Sequence, residues 1–177
     1  MKHVYEFTNG RELTKKEFIH WFQKKFLYTL RKFKMIQKED IIGYENKGDF
    51  RGVVLEDLLK MLAEKSPVKI IKLPSKKKIT KKAIALTSDL ESDKIINVLV
   101  NKNALELKNL YPVNKKLIQP LYLFLDKEVL IYAKLMNLKF KKVSNKKDKL
   151  SQFINDLEKK HPEIKHSIIK SYLELYK

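Results

Sequence analysis

The chain contains no cysteine among its 177 residues. Disulfide bonds, thiolate nucleophiles, zinc knuckles and iron–sulfur clusters held by this chain's own residues are therefore excluded. No apolar run approaches the roughly 20 residues that span a bilayer, and the first ten residues lack the apolar stretch of a secretory signal. These absences predict a cytoplasmic protein that has no membrane partner.

Histidines are few, and none of the four is placed for metal binding. His161 and His166 are five residues apart on either side of a predicted helix start, so they do not share a helical face. The chain has no HExxH motif and no carboxylate–histidine spacing suited to zinc. We therefore expect no metal site.

Acidic residues are also too few to balance the positive charge of the basic residues. The chain has 39 Lys and Arg against 21 Asp and Glu, a formal net charge of +18. Such an excess attracts polyanions, and the dominance of lysine over arginine favours contact with phosphates over reading of bases. The alternative is a lysine-rich surface that only keeps the protein soluble, as in some thermophiles.

The first residues predict a β-hairpin that leads into a helix. His3–Phe7 alternates and is aromatic, Asn9-Gly10 is a strong turn signal, and Arg11–Leu13 would be the return strand. Thr14 is a typical N-cap, and Glu17 three residues later completes a capping box.

A long helix is predicted over residues 15–34. Aromatic and leucine side chains recur at helical spacing and predict a core-facing stripe; they are Phe18, Trp21, Phe22, Phe26, Leu30 and Phe33. Basic residues occupy the rest of the helix and are candidate RNA contacts; they are Lys15, Lys16, Lys24, Lys25, Arg31, Lys32 and Lys34. We expect the last five of these to lie away from the aromatic face.

Strands and helices alternate in the remainder of the chain. Strands are predicted at 40–45, 68–73, 83–86 and 117–121, and helices at 53–64, 89–110, 126–137, 150–160 and 162–176. This alternation predicts an α/β fold with a short parallel sheet, helices on both faces and a C-terminal helical pair. We divide the chain into an N-terminal hairpin and basic helix at 1–36, an α/β domain at 37–140, and a linker with C-terminal helices at 141–177.

The stretch 139–149, which leads into the C-terminal helices, is a second basic segment. Its candidate RNA contacts are Lys139, Lys141, Lys142, Lys146 and Lys147. Because lysine binds the phosphate backbone without reading sequence, both basic segments could contact one RNA molecule.

The turn after the first parallel strand is the natural phosphate site of an open α/β sheet. Its residues are Asn46, Lys47, Gly48, Asp49, Phe50 and Arg51. They match neither GxGxxG nor GxxxxGK[ST]. Phe50 is bulky and Asp49 is negative where an anion is expected, so we interpret the segment as a structural turn. The alternative is a residual phosphate contact through Arg51.

Two groups of carboxylates precede or begin predicted helices. They are Asp89, Glu91 and Asp93, and Asp126 with Glu128. Acid–base catalysis or Mg²⁺ binding is one interpretation. We favour the other, in which these charges complement the positive end of each helix dipole.

Three segments resemble a known family. Gln119-Pro120-Leu121-Tyr122 followed by Asp126–Val129 and Tyr132-Ala133 resembles the KPL…EKEVALYA stretch of tRNA 2-thiouridine synthetases. These enzymes belong to the PP-loop, or adenine-nucleotide alpha-hydrolase, superfamily. Leu13–Phe18 with Trp21-Phe22 is similar to the start of that family's first long helix, and 153–158 is similar to its closing helices.

The catalytic parts of that family differ here. The family's SGGKDS loop corresponds to Asn46–Arg51, which keeps one glycine, and Thr14 stands where a zinc-knuckle cysteine is expected. Thr87–Ser92 corresponds to a later GHNxDD-like stretch. The chain is short between Leu73 and Ala83, as though a strand–helix segment were missing.

The resemblance implies a truncated PP-loop or HUP-like fold and a pseudoenzyme without a cofactor. Our leading hypothesis is a non-catalytic tRNA-binding subunit of a wobble-uridine 2-thiolation system. It would pair with a catalytically active thiolase paralogue or with itself. The alternatives are a residual ATP-dependent tRNA-modifying enzyme and a general basic nucleic-acid-binding protein.

Overall fold

A computed structural model of the protein describes residues 3–101, 104–142 and 149–176.

The N-terminal hairpin is formed as predicted. Strand β1 (His3–Glu6) pairs antiparallel with β2 (Glu12–Thr14). Gly10 closes the turn with φ +80°, a conformation that glycine adopts without a steric penalty.

Helix α1 (Lys15–Lys32) begins at the predicted capping box. The backbone N–H and the hydroxyl of Thr14 donate to Glu17 Oε2 at 2.9 and 2.7 Å. The predicted aromatic stripe is confirmed, since Phe18, Phe22 and Phe26 are fully buried. The helix ends two residues earlier than predicted, because the chain turns into the left-handed region at Lys34.

The central sheet has five strands in the order β4-β3-β5-β7-β6. The strands are β3 (Ile41–Tyr44), β4 (Lys69–Lys72), β5 (Lys81–Ala83), β6 (Val113–Asn114) and β7 (Leu117–Ile118). Strands β4, β3, β5 and β7 are parallel, and β6 is antiparallel to β7. The predicted α/β fold, with a parallel sheet flanked by helices, is confirmed. The strand predicted at 117–121 is present as β7, and its antiparallel neighbour β6 was not predicted.

The helices differ from the predictions mainly at their ends. They are α2 (Phe50–Lys65), α3 (Ser88–Val100), α4 (Ala104–Leu107), α5 (Asp126–Leu135), α6 (Lys149–Lys160) and α7 (Ile164–Leu175), with a 3₁₀ turn at Lys108–Leu110. Helix α2 starts three residues earlier than predicted because Asp49 caps it. The helix predicted over 89–110 is instead α3, α4 and the 3₁₀ turn. The strand predicted at 83–86 lies at Lys81–Ala83.

The connection from β4 to β5 crosses β3 without a helix. Residues 73–80 make this crossing, and Ile79 lies directly over Gly43 of β3. A Cβ atom at Gly43 would stand 2.9 Å from Ile79 Cδ1, so the glycine permits the close approach. The crossing leaves β4 at the edge of the sheet, with Lys69 and Lys72 exposed at its two ends.

Most of the buried apolar side chains form one cluster that contains residues of all three predicted segments, including Phe22, Ile42 and Tyr172. Helix α1 packs on α5, which packs on α2, and α3 packs on α6 and α7. Within the described residues, no helix is both long and apolar enough to cross a membrane.

Candidate functional site

The carboxyl ends of β3, β5 and β7 meet at one edge of the sheet, where α2, α3 and α5 begin. A cavity of about 310 Å³ lies there, between the turn that follows β3 and the segment that follows β5. Glu45, Lys47, Asp49 and Arg51 line one side of it. This is the position at which open α/β sheets bind ligands.

Oxygen atoms of the chain itself occupy the positive end of α2. The Gly52 N–H donates to Asp49 Oδ1 at 2.9 Å, and the Gly48 N–H donates to Asn46 Oδ1 at 2.8 Å. A Cβ atom at Gly52 would stand 2.9 Å from Asp49 Oδ1 and 3.0 Å from Asn46 Oδ1. These two oxygens therefore fill the space beside the helix start where a bound anion would otherwise sit.

Arg51 points inward from the first turn of α2. Its Nε donates to Asp126 Oδ1 at 2.7 Å, and its Nη2 donates to the other oxygen of the same carboxylate. The side chain is 5% exposed, and Asp49 lies 3.6 Å from its Nη1. The guanidinium is already held by two carboxylates, so the alternative of a phosphate contact through Arg51 would require these bonds to break.

A second cation extends this group of charges toward the C-terminal helices. The Asp126 N–H donates to Asp89 Oδ2 at 2.7 Å, and Thr87 Oγ1 donates to Asp126 Oδ1 at the same distance. Lys165 of α7 contacts Asp89 and lies 2.7 Å from Glu158 Oε2. Burial alone would lower the pKa of Lys165, but these carboxylates raise it above its ordinary value.

We call Asp49, Arg51, Asp89, Asp126 and Lys165 the internal charge network. As predicted, Asp89 and Asp126 lie in the first turns of α3 and α5, although the cations that neutralise them come from α2 and α7. Lys165 was missed, because its partner Asp89 is 76 residues away in the sequence. In the part of the chain that the structure describes, no group of three or more histidine or acidic side chains is arranged to hold a metal ion.

Glu56 fixes the turn from its other side. The Asn46 amide donates to Glu56 Oε2 at 2.6 Å, and Lys60 donates to Oε1 at 2.8 Å. Burial by itself would raise the pKa of Glu56, but these hydrogen bonds and the charge of Lys72 lower it to about 2. The ionised carboxylate therefore holds Asn46 in the position that occupies the start of α2.

Two of the predicted sites are neighbours in space. The Lys141 N–H donates to the Gly48 carbonyl at 2.7 Å, and the Phe140 ring packs on the Phe50 ring with centres 6.3 Å apart. The exposed side chains of Lys139, Lys141 and Lys142 thus lie beside the turn. The candidates Lys146 and Lys147 lie outside the described residues.

The basic residues of α1 divide into two groups. Six of the seven candidates in this region are exposed: Lys15, Lys16, Lys24, Arg31, Lys32 and Lys34. Lys25 instead points inward, so the expectation that it lies on the solvated face is wrong. It donates to Glu128 Oε2 at 2.7 Å and lies 4.9 Å from the Trp21 ring centre. Burial lowers the pKa of Lys25, partly offset by the Glu128 charge.

An exposed aromatic residue among these cations was not predicted. Tyr28 is 50% exposed, although the aromatic stripe of the same helix is directed into the core. Its position, six residues after Phe22 and two after Phe26, places it off that stripe. The helical spacing alone could have identified it.

Comparison with solved structures identifies a protein with a similar fold. It is the U34-tRNA thiolase NcsA from Methanococcus maripaludis, whose structure was solved with its 4Fe–4S cluster. The match covers 98% of this chain and 84% of that chain, with a TM-score of 0.75 and 18% sequence identity. At this identity the likeness shows a shared fold. No protein-family model and no curated protein matches the chain.

Proposed function

We propose that this protein is a non-catalytic, tRNA-binding subunit of a tRNA wobble-uridine 2-thiolation system. The observation that carries the proposal is the start of α2, where Asp49 and Asn46 take the position of a bound anion on a thiolase-like fold. A site that already holds a carboxylate disfavours the triphosphate of ATP, because like charges repel. The absence of cysteine from the chain supports the same conclusion.

The charge of the surface supports tRNA as the ligand. The net charge is +18, and exposed cations lie along α1 and beside the turn, at Lys139, Lys141 and Lys142. Cations in such positions release counterions from a nucleic acid on binding.

Exposed apolar side chains support a protein partner in the same system. Leu99 and Val100 at the end of α3 are 50% and 62% exposed, and Leu105 of α4 is 81% exposed. Exposed apolar surface of this kind is found at contact sites between proteins. We propose a catalytically active, cysteine-bearing thiolase of the same cell as the partner, with self-association as the alternative, and we place the complex in the cytoplasm.

Calorimetry with ATP and Mg²⁺ tests whether the fold has lost its nucleotide site. We expect no binding, and a dissociation constant tighter than roughly 100 µM, about −5.5 kcal/mol, would contradict the proposal. The variant Asp49→Asn is the matched control, because it keeps a capping oxygen while it removes the charge. A gain of ATP binding in this variant would show that the Asp49 charge is what excludes the nucleotide.

A second experiment tests the ligand and the partner. Binding to tRNA is measured beside binding to duplex DNA of equal length, and the chain is co-expressed with the thiolase under test. We expect tRNA to bind more tightly and the two proteins to co-purify. Equal affinities would favour a general nucleic-acid-binding protein, and a monomer at high concentration that never recovers the thiolase would contradict the subunit role.

One observation favours a second candidate, an ATP-dependent tRNA-modifying enzyme. The cavity of about 310 Å³ beside the turn has a volume at the lower end of the range for small-molecule sites. Lys47 and Arg51 are the cations that line it. Protection of the protein against heat by ATP would support this candidate over the non-catalytic subunit.

A further inference from the structure

The second half of α1 presents an exposed surface without negative charge. Lys24, Tyr28, Arg31 and Lys32 are separated by four, three and one residues, so they lie on neighbouring positions of one helical face. All four are exposed. We call them the α1 basic face.

Among the described residues, no carboxylate neutralises the cations of this face. No Asp or Glu occurs between Glu17 and Glu39. Within the described residues, Lys24, Arg31 and Lys32 form no ion pair, whereas Lys25 of the same helix is paired with Glu128. Their charges are therefore available to the phosphates of a ligand.

Tyr28 lies in the middle of these cations. The Lys32 ammonium is 5.7 Å from the centre of its ring, close enough for a cation–π interaction. Tyr28 is 50% exposed, so part of its side chain is accessible to a ligand. A single exposed aromatic residue is ordinary on a protein surface. An aromatic ring bordered by three unpaired cations is the arrangement with which proteins bind single-stranded nucleic acid.

We propose that Tyr28 stacks on an unpaired base of tRNA while Lys24, Arg31 and Lys32 bind the phosphates beside that base. This inference rests on the proposed function, since it assumes that tRNA is the ligand. The base must be unpaired because the faces of bases inside a duplex are covered by their neighbours. Loops and single-stranded ends of tRNA supply such bases, and the contact would distinguish them from helical RNA of equal charge.

Substitution of Tyr28 separates stacking from charge. Binding of tRNA to wild type, Tyr28→Ala and Tyr28→Phe is measured by filter binding at several salt concentrations. We expect Tyr28→Ala to weaken tRNA binding at least fivefold, ~1 kcal/mol, with no change in the slope of log affinity against log salt. Tyr28→Phe keeps the ring and is expected to bind as wild type does. A perfectly paired RNA duplex is expected to bind all three proteins equally.

Phe153→Ala is the matched control, because Phe153 is an aromatic residue of α6 that is 58% exposed. We expect it to bind tRNA normally. Equal weakening by Phe153→Ala, an unchanged affinity of Tyr28→Ala, or a flatter salt slope for Tyr28→Ala would each overturn the stacking contact while tRNA binding stands. If the wild-type protein does not bind tRNA at all, the proposed function fails together with this inference.

Discussion

The internal charge network and the α1 basic face both contain cations, but the cations of the network are buried and paired, whereas those of the face are exposed and unpaired among the described residues. Arg51 and Lys165 are each 5% exposed and contact carboxylates. Lys24 and Arg31 are exposed and form no ion pair within the described residues. The net charge of +18 therefore says little by itself about where a polyanion binds. Burial and pairing decide which cations are available to a ligand.

The two regions should also contribute differently to stability. Removal of a buried cation leaves its partner carboxylate buried without a compensating charge, which is strongly destabilising. An exposed lysine without a partner contributes little to folding and much to long-range attraction. Substitutions in the two regions should therefore change different measured quantities.

The largest effect is expected when Arg51 is replaced by methionine. The variant loses both hydrogen bonds to Asp126 and keeps a side chain of similar length. We expect Arg51→Met to lower the free energy of unfolding by about 3 kcal/mol, measured by urea denaturation at pH 7. Arg51→Lys retains the charge and should lose less. A loss below roughly 1 kcal/mol for Arg51→Met would show that the network contributes no more than an exposed ion pair.

Reversal of charge on the α1 basic face should leave stability nearly unchanged and weaken tRNA binding. We expect the triple substitution of Lys24, Arg31 and Lys32 by glutamate to reduce affinity more than tenfold. The salt slope should flatten by about 2 if these cations contact three phosphates. Circular dichroism verifies that the variant is folded.

The same triple reversal at Lys76, Lys77 and Lys78 is the control for net charge, since these lysines are exposed on the crossing between β4 and β5. We expect a smaller loss of affinity there and a nearly unchanged slope. Equal effects of the two triple variants would show that tRNA responds to total charge and would remove the distinction between the two surfaces. A third variant, reversed at Lys139, Lys141 and Lys142, tests the basic segment beside the turn.

The smallest expected effect is the loss of stability of the protein in acid. The pKa of Glu56 is about 2 in the folded protein, below its ordinary value of 4.5. Its stabilising contribution is therefore complete above about pH 4.5 and is lost as the pH falls toward 2. At pH 6 we expect the free energy of unfolding of wild type to be about 1 kcal/mol higher than that of Glu56→Gln. The difference is small because solvent screens the ion pair between Glu56 and Lys60. A difference between the two proteins that stays constant down to pH 2 would contradict this assignment.

The sequence predicted elements whose signals are local. The hairpin depends on Asn9-Gly10, the start of α1 depends on Thr14 and Glu17, and the buried stripe follows from helical spacing. Strand β7 lies within the strand predicted at 117–121, but β6 was missed because it is two residues long, too short for an alternating pattern to be recognised.

Contacts between distant residues could not be predicted in this way. Helical spacing places Lys25 on the same side of α1 as Trp21, but its ion pair with Glu128, 103 residues further along, is not visible in the local sequence. Arg51 and Asp126 are 75 residues apart and meet only because β3 and β7 end at the same edge of the sheet. Charge pairing of this kind depends on topology rather than on local pattern.

The cap on α2 also has a thermodynamic consequence. Asp49 directly precedes α2 in the chain and accepts a hydrogen bond from the Gly52 N–H of that helix. Its occupancy of that position therefore does not depend on the concentration of any solute. A nucleotide enzyme gains stability as its ligand becomes more abundant, by an amount that grows with the logarithm of concentration. The stabilisation that the Asp49 cap gives to the start of α2 does not vary with the concentration of a nucleotide.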